Sequence, residues 1–263
     1  IFIGGGTPSL LTSNQFEKII NQINKNFNLS LLKEFTIEAN PGEFDIEKIK
    51  SFKTLGINRI SFGFQSLDDN ILKKISRWHT YQDCIKSYNN ARKVGYENIS
   101  IDMLFGIPDQ DIKQWEKEIN HIIELEPEHI SAYSLTVEKN TPLYTKVKSK
   151  KMFMPNEKTD IDMYKYAMNN LNQGKYLQYE ISNYSKKNKE CRHNLHYWNR
   201  DSYISFGPSA HGFYNNTRYW NYRDLNKYIK KINTNTLPIE DTEVLNNENI
   251  FNEIILNGLR MTK

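Results

Sequence analysis

Ile1-Phe2-Ile3-Gly4-Gly5-Gly6-Thr7-Pro8, followed by Thr12 and Gln15, is the stretch on which the fold turns. An apolar triplet running into glycines reads as a short buried strand that ends in a loop, and Thr12 with Gln15 three places on is a capping box that opens a helix. Phe16, Ile19, Ile20, Ile23 and Phe27 then recur at three- and four-residue spacing, which places them on one face of that helix. The segment is a strand-loop-helix repeat.

The pattern recurs along the chain. Apolar runs at 35–39, 57–64, 99–105, 129–137 and 176–182 read as further strands, and periodic segments between them read as helices. Strands alternating with helices argue for a parallel sheet covered by helices, either barrel-like or open and doubly wound. A dinucleotide-binding turn would need a third glycine at a fixed place after the first strand, and Gly4-Gly5-Gly6-Thr7-Pro8 lacks it. After residue 184 the texture changes to a Lys-rich loop, then to a stretch dense in Tyr, Trp, His and Asn. The expected organisation is therefore 1–184 as the α/β domain, 185–235 as an irregular aromatic-rich extension packed on it, and 236–263 as the start of a helical domain, with Ile250, Ile254 and Leu259 on its first helix.

Composition narrows the function classes. With 35 Lys and Arg against 31 Asp and Glu the net charge is +4, and the basic residues are scattered, so no nucleic-acid partner is expected. No apolar run reaches the length of a spanning helix, and the first residues lack the pattern of a secretory leader, so neither membrane insertion nor secretion is expected. Cys84 and Cys191 lie too far apart for a disulfide framework or a metal motif, which suits a cytoplasmic protein and two packing thiols. The opening inside an apolar triplet reads as a trimmed chain.

In parallel α/β folds the ligand site forms outside the carboxyl ends of the strands. Gly4 to Thr7 ends strand one, Glu38 falls within the last residues of strand two, Gln65 ends strand three, Asp102 lies inside strand four and Thr136 near the end of strand five. A carboxylate embedded in an apolar strand, as Glu38 and Asp102 are, needs a donor or a cationic partner. Plainer readings exist for each: a tight turn for the glycines, a neighbouring lysine or arginine partner for Glu38, a helix cap for Asp102. Likewise Gln65-Ser66-Leu67-Asp68 reads as a strand-to-helix turn with Asp68 as N-cap, and Arg77-Trp78-His79 as a solvated helix end. The joint placement on one rim favours a ligand rich in hydroxyl and amino groups.

Five stretches, in order and in register, resemble a known family: Ile3-Gly4-Gly5-Gly6-Thr7-Pro8-Ser9, Ile37-Glu38-Ala39-Asn40-Pro41, Ser61-Phe62-Gly63-Phe64-Gln65-Ser66, Arg77-Trp78-His79, and Asp102-Met103-Leu104-Phe105-Gly106-Ile107-Pro108. They are similar to radical S-adenosylmethionine (SAM) proteins of the coproporphyrinogen dehydrogenase group. The later run Cys191-Arg192-His193-Asn194-Leu195-His196-Tyr197-Trp198, followed by Gly207-Pro208-Ser209-Ala210-His211-Gly212, resembles the HemW branch of that group, regarded as haem chaperones. The resemblance implies an α/β fold, a partial (β/α)6 TIM-like barrel of the radical SAM type whose first βα repeat is missing here. It implies S-adenosylmethionine, a [4Fe-4S] cluster and haem as cofactors or cargo, and haem-accepting proteins as partners. Carried over position by position, Gly5, Gly6 and Thr7 would meet S-adenosylmethionine through backbone groups and the threonine hydroxyl. Glu38, Gln65, Arg77 and Asp102 would supply polar contacts, Arg77 being suited to a carboxylate. The group's pocket can hold two such molecules, between which these residues would be divided. The cluster cysteines are expected upstream of Ile1, with no metal ligands inside this chain. His193, His196 and Tyr197 are the haem candidates.

The expected function is that of a haem-binding radical SAM protein that delivers haem. The competing enzyme reading is oxygen-independent coproporphyrinogen III dehydrogenase, which decarboxylates propionate side chains by way of a deoxyadenosyl radical. Two others are a barrel enzyme for a phosphorylated metabolite, with Gly4 to Gly6 facing the phosphate, and a folded remnant without redox function.

Overall fold

Alternation along the strands sets the architecture, because successive side chains of a strand point to opposite faces. The computed structural model describes residues 1–262. The chain forms two compact units, Ile1–Glu190 and Cys191–Lys263.

The first unit runs β1 (Phe2–Ile3), α1 (Ser13–Asn26), β2 (Thr36–Ala39), α2 (Ile46–Thr54), β3 (Arg59–Gln65), α3 (Asp69–Lys74), α4 (Tyr81–Val94), β4 (Ile99–Phe105), α5 (Ile112–Leu125), β5 (His129–Ser134), α6 (Pro142–Lys148), α7 (Glu157–Gln173), β6 (Leu177–Glu180) and β7 (Asn183–Ser185). Strands β1 to β5 are parallel and neighbour one another in chain order. This is the parallel α/β sheet expected from the repeat, and it fits the partial barrel that the family resemblance implies. The capping box is present: Thr12 accepts from the Gln15 amide at 3.2 Å, and Gln15 accepts from the Thr12 amide at 2.9 Å. Of the face read on α1, Phe16 and Ile20 are buried while Ile19 and Phe27 are exposed, a narrower stripe than the spacing suggests.

The end of the sheet departs from expectation. The run read as one strand over 176–182 breaks at Glu180, and β7 turns back to pair antiparallel with both β5 and β6. The buried Glu180 carboxylate holds this reversal, accepting from the Ser182 amide at 3.0 Å and from the Asn183 side chain. The fifth strand also stops early, at Ser134, so Thr136 lies beyond it.

One row of strand residues faces the helices. Ile37, Ile60, Phe62, Ile101, Met103 and Ile130 join Phe16, Phe52, Tyr88, Trp115, Ile119 and Met163 in a single core. The intervening row is largely polar: Thr36 and Glu38 on β2, Arg59, Ser61 and Gln65 on β3, Ser100 and Asp102 on β4, His129 and Ser131 on β5. A sheet with one apolar and one polar buried face is built to hold something on the polar side.

The second unit corrects the reading of an irregular extension followed by a separate helical segment. It contains α8 (Arg192–Trp198), β8 (His211–Tyr214), β9 (Thr217–Asn221), α9 (Leu225–Asn233), β10 (Ile239–Val244) and α10 (Asn247–Arg260). The strands form an antiparallel sheet in the order β10-β9-β8. Asn215 and Asn216, at φ 49 and 56, form the two-residue turn between β8 and β9, a conformation Asn tolerates and hairpins favour. Residues on both sides of position 235 share this sheet, because β10 pairs with β9. Glu253 ties α10 to Arg200 at 2.9 Å and also binds Arg218, while the Arg260 guanidinium lies 4.2 Å from the centroid of the Trp198 ring.

Candidate functional site

At the carboxyl ends of β1 to β5 lies a pocket of about 190 Å³ lined by Gly6, Thr7, Pro8, Glu38, Ala39, Asn40, Ser61, Gly63, Gln65, Arg77, Asp102 and Tyr133. Of the adenosylmethionine candidates, Gly6, Thr7, Glu38, Gln65, Arg77 and Asp102 line it directly. Gly5 is not among the lining residues; it is exposed on the same loop, its amide donating to Glu38 Oε2 at 3.1 Å. Gly5 and Gly6 have φ of 73 and 64, and no atom lies within 4 Å of where their Cβ would be. The glycines are there for backbone conformation, and they leave the loop open towards a ligand.

Burial governs the electrostatics. The Glu38 carboxyl is pushed above its usual range by desolvation, partly offset by the Gly5 amide. Asp102 is also raised by burial, against the opposing effects of Ser131 at 2.8 Å, the Arg59 charge and Ser61 at 3.2 Å. The Asp102 charge adds to the rise at Glu38, and a hydroxyl or amino donor bound between the buried acids would stabilise their charged forms. Arg77 Nη1 donates to Asn40 Oδ1 at 3.4 Å, and Asn40 Nδ2 donates to Glu43 Oε1 at 3.0 Å. Gln65 is 5% exposed and lines the pocket, and its buried Oε1 has no hydrogen-bond partner. Burial pushes the Tyr133 phenol up, keeping it a neutral donor.

Deeper along the same face, His129 is buried between Ser100 Oγ at 2.8 Å and the Tyr179 hydroxyl at 2.9 Å. Desolvation, together with the Arg59 charge, holds its imidazole well below the ordinary value and therefore neutral. Sequence reading missed Arg59, Ser61, Gly63, Asn40 and Tyr133. The available signal was period two: stepping back from Gln65 gives Gly63, Ser61 and Arg59, and stepping forward from Ser131 gives Tyr133. The plain readings also held in part, since Asp68 caps α3 by accepting from Asn70 and Ile71 amides at 2.8 and 3.0 Å.

The pocket suits S-adenosylmethionine chemically: two raised carboxyls for hydroxyl or amino groups, an unpartnered amide oxygen, and a guanidinium for a carboxylate. It does not suit an iron–sulfur cluster. Among the described residues no three His, Cys, Asp or Glu side chains gather into a metal site, and Cys84 and Cys191 are buried, one in each unit.

The haem candidates sit on α8. His193 and Tyr197 meet edge to face at 4.6 Å between ring centroids, and Tyr197 meets Tyr203 in the same way at 4.6 Å. His196 is more exposed, and its Nδ1 lies 2.7 Å from Asp201 Oδ2. A carboxylate at Nδ1 orients the imidazole ring.

Comparison with known proteins agrees with this geometry. Residues 1–122 match the Radical SAM superfamily. Over its whole length the chain is 41% identical to heme chaperone HemW of Bacillus subtilis, of which it covers 69%. It is 35% identical to heme chaperone HemW of Lactococcus lactis, with 99% of this chain and 68% of that protein aligned. Among solved structures, coproporphyrinogen III oxidase (HemN) of Escherichia coli aligns with a TM-score of 0.82 at 18% identity, over 99% of this chain and 62% of that one, a likeness of fold. Radical SAM membership implies S-adenosylmethionine and a [4Fe-4S] cluster, and no helix among the described residues is long and apolar enough to cross a membrane. The partial barrel, its polar inner face and these identities place the chain in the HemW family of the radical SAM superfamily.

Proposed function

We propose that the chain binds S-adenosylmethionine in the pocket of its first unit and haem on α8 of its second, and acts as a haem chaperone that hands haem to an accepting protein. Kinship with curated haem chaperones carries the reading, and the His196–Asp201 pair supports it at residue level. In the pocket, Gly5, Gly6 and Thr7 border the ligand, Glu38 and Asp102 accept from its hydroxyl or amino groups, and Arg77 faces its carboxylate. When bound beside a reduced cluster, S-adenosylmethionine supplies radical chemistry. The thiolates for such a cluster are not among the described residues.

On α8, His193 and His196 offer imidazoles and Tyr197 an aromatic face for a porphyrin. Haem titration tests the proposal. The wild-type chain is expected to develop a shifted Soret band and to pass haem to an apo-acceptor, and the double variant His193→Ala/His196→Ala to lose the band. An unchanged band in that variant overturns the ligand assignment. Anaerobic conversion of coproporphyrinogen III to protoporphyrinogen IX would overturn the chaperone reading in favour of a dehydrogenase.

A further inference from the structure

Where β3 leaves the sheet, the backbone takes a form that ordinary residues avoid. Gln65 has φ 67, and the Ser66 amide donates to the Phe64 carbonyl, two residues back, at 2.8 Å. A three-residue turn closed around a residue of positive φ is the rare, strained kind of γ-turn. The pairing of β3 with β4 slips at the same point, Phe62 facing Ile101 but Gln65 facing Met103. Such a conformation persists only where the surroundings over-determine it, and here it belongs to the residue whose buried Oε1 has no partner in the pocket wall.

The restraint comes from outside the pocket. Glu118 of α5 is 2% exposed and does not line the pocket. Its Oε1 accepts from the Leu67 amide at 2.7 Å and from the Ser66 hydroxyl, while Gln110 donates to Oε2 at 3.4 Å. The Ser66 oxygen in turn accepts from the Asp68 amide at 3.1 Å. A buried carboxylate is thus spent on the two residues that follow Gln65 and on the side chains of Gln110 and Gln114, the latter donating to Oε1 at 3.5 Å, and none of these four lines the pocket.

We propose that Glu118 is a positioning residue for ligand recognition: by anchoring Ser66 and Leu67 it keeps the γ-turn closed and fixes the Gln65 side-chain amide in the pocket wall for recognition of bound S-adenosylmethionine. This rests on the pocket being an adenosylmethionine site. The test is a double-mutant cycle on the full chain, with affinity measured by calorimetric titration of S-adenosylmethionine, and amide hydrogen exchange measured without ligand. Glu118→Gln is expected to speed exchange at Leu67 about tenfold and to weaken binding about tenfold. In a Gln65→Ala background it is expected to cause no further loss of affinity, because its effect passes through Gln65.

Ser66→Ala, which spares the carboxylate and removes one donor, is the milder variant and is expected to give the same pattern at smaller size. Losses that multiply across the cycle, or an unchanged Leu67 amide, overturn the role of Glu118 while leaving the pocket assignment standing. Failure of the wild-type chain to bind S-adenosylmethionine overturns the pocket assignment itself.

Discussion

The Gly5 amide donates to Glu38 Oε2 at 3.1 Å, so the loop after β1 and the carboxylate at the end of β2 are fixed to each other across the mouth of the pocket. The same carboxyl lies 2.7 Å from where a Cβ on Gly4 would stand, whereas a Cβ on Gly5 would meet nothing. The two glycines therefore fail differently on substitution. Gly4→Ala is expected to displace Glu38 and Phe2, costing about 1–3 kcal/mol and most of the affinity for S-adenosylmethionine. Gly5→Ala is expected to cost about 1 kcal/mol of backbone strain. Urea unfolding and ligand titration of both variants check this, and equal losses of affinity would contradict it.

Asp102 makes stability depend on pH in an unusual direction. Burial raises its folded-state pKa above the ordinary aspartate value, against the Ser131 hydroxyl, the Arg59 charge, Ser61 and Ser100. Between the unfolded and the folded values the native chain holds more protons than the unfolded one, so this group's contribution to stability falls as pH rises through that window. Asp102→Asn has no proton to lose there. Urea midpoints measured from acidic to neutral pH are expected to show the variant gaining on the wild type as pH rises. A difference that stays constant would contradict the raised pKa.

The strand-helix repeat was legible because it is written in two periods, and the capping box at Thr12 and Gln15 marks its first helix unambiguously. Half of the pocket lining was legible, and Glu38, Gln65 and Asp102 for a related reason: each interrupts an apolar strand, Glu38 and Gln65 near its carboxyl end and Asp102 at the middle of β4. Arg59 escaped because it stands at the start of β3, where an arginine reads as a surface residue, yet it is 1% exposed on the polar face. The reversal at Glu180 escaped because one side chain holds the turn, and no period reports it. In the second unit, the aromatic density hid a hairpin whose signal was the pair Asn215-Asn216.

Trp115 is the largest fully buried side chain and joins two helices, its Nε1 donating to the Met163 carbonyl of α7 at 2.9 Å while its ring packs 5.3 Å from that of Phe105. Trp115→Ala is expected to cost about 3–5 kcal/mol, through lost contacts and the cavity left behind. Trp115→Phe keeps most of the packing and is expected to cost less, about 1 kcal/mol of it from the lost hydrogen bond. Chemical unfolding of both variants measures the two contributions, and similar losses would show that the hydrogen bond, not the volume, dominates.

Asp201 separates the two histidines of α8. It lies 2.7 Å from Nδ1 of His196, whereas His193 makes its ring contact with Tyr197. If His196 Nε2 binds haem iron, Asp201 orients the ring and strengthens it as a donor, and loss of such a partner typically costs about 10–100-fold in metal affinity. Asp201→Asn is therefore expected to weaken haem binding at least about tenfold while leaving a residual band, and His196→Ala to weaken it further with no additional effect of Asp201→Asn. The pair is exposed, so neither change should alter the unfolding free energy by more than about 0.5 kcal/mol. Should haem affinity be untouched by Asp201→Asn yet collapse in His193→Ala, the axial ligand is His193, and the His196–Asp201 pair is a surface contact.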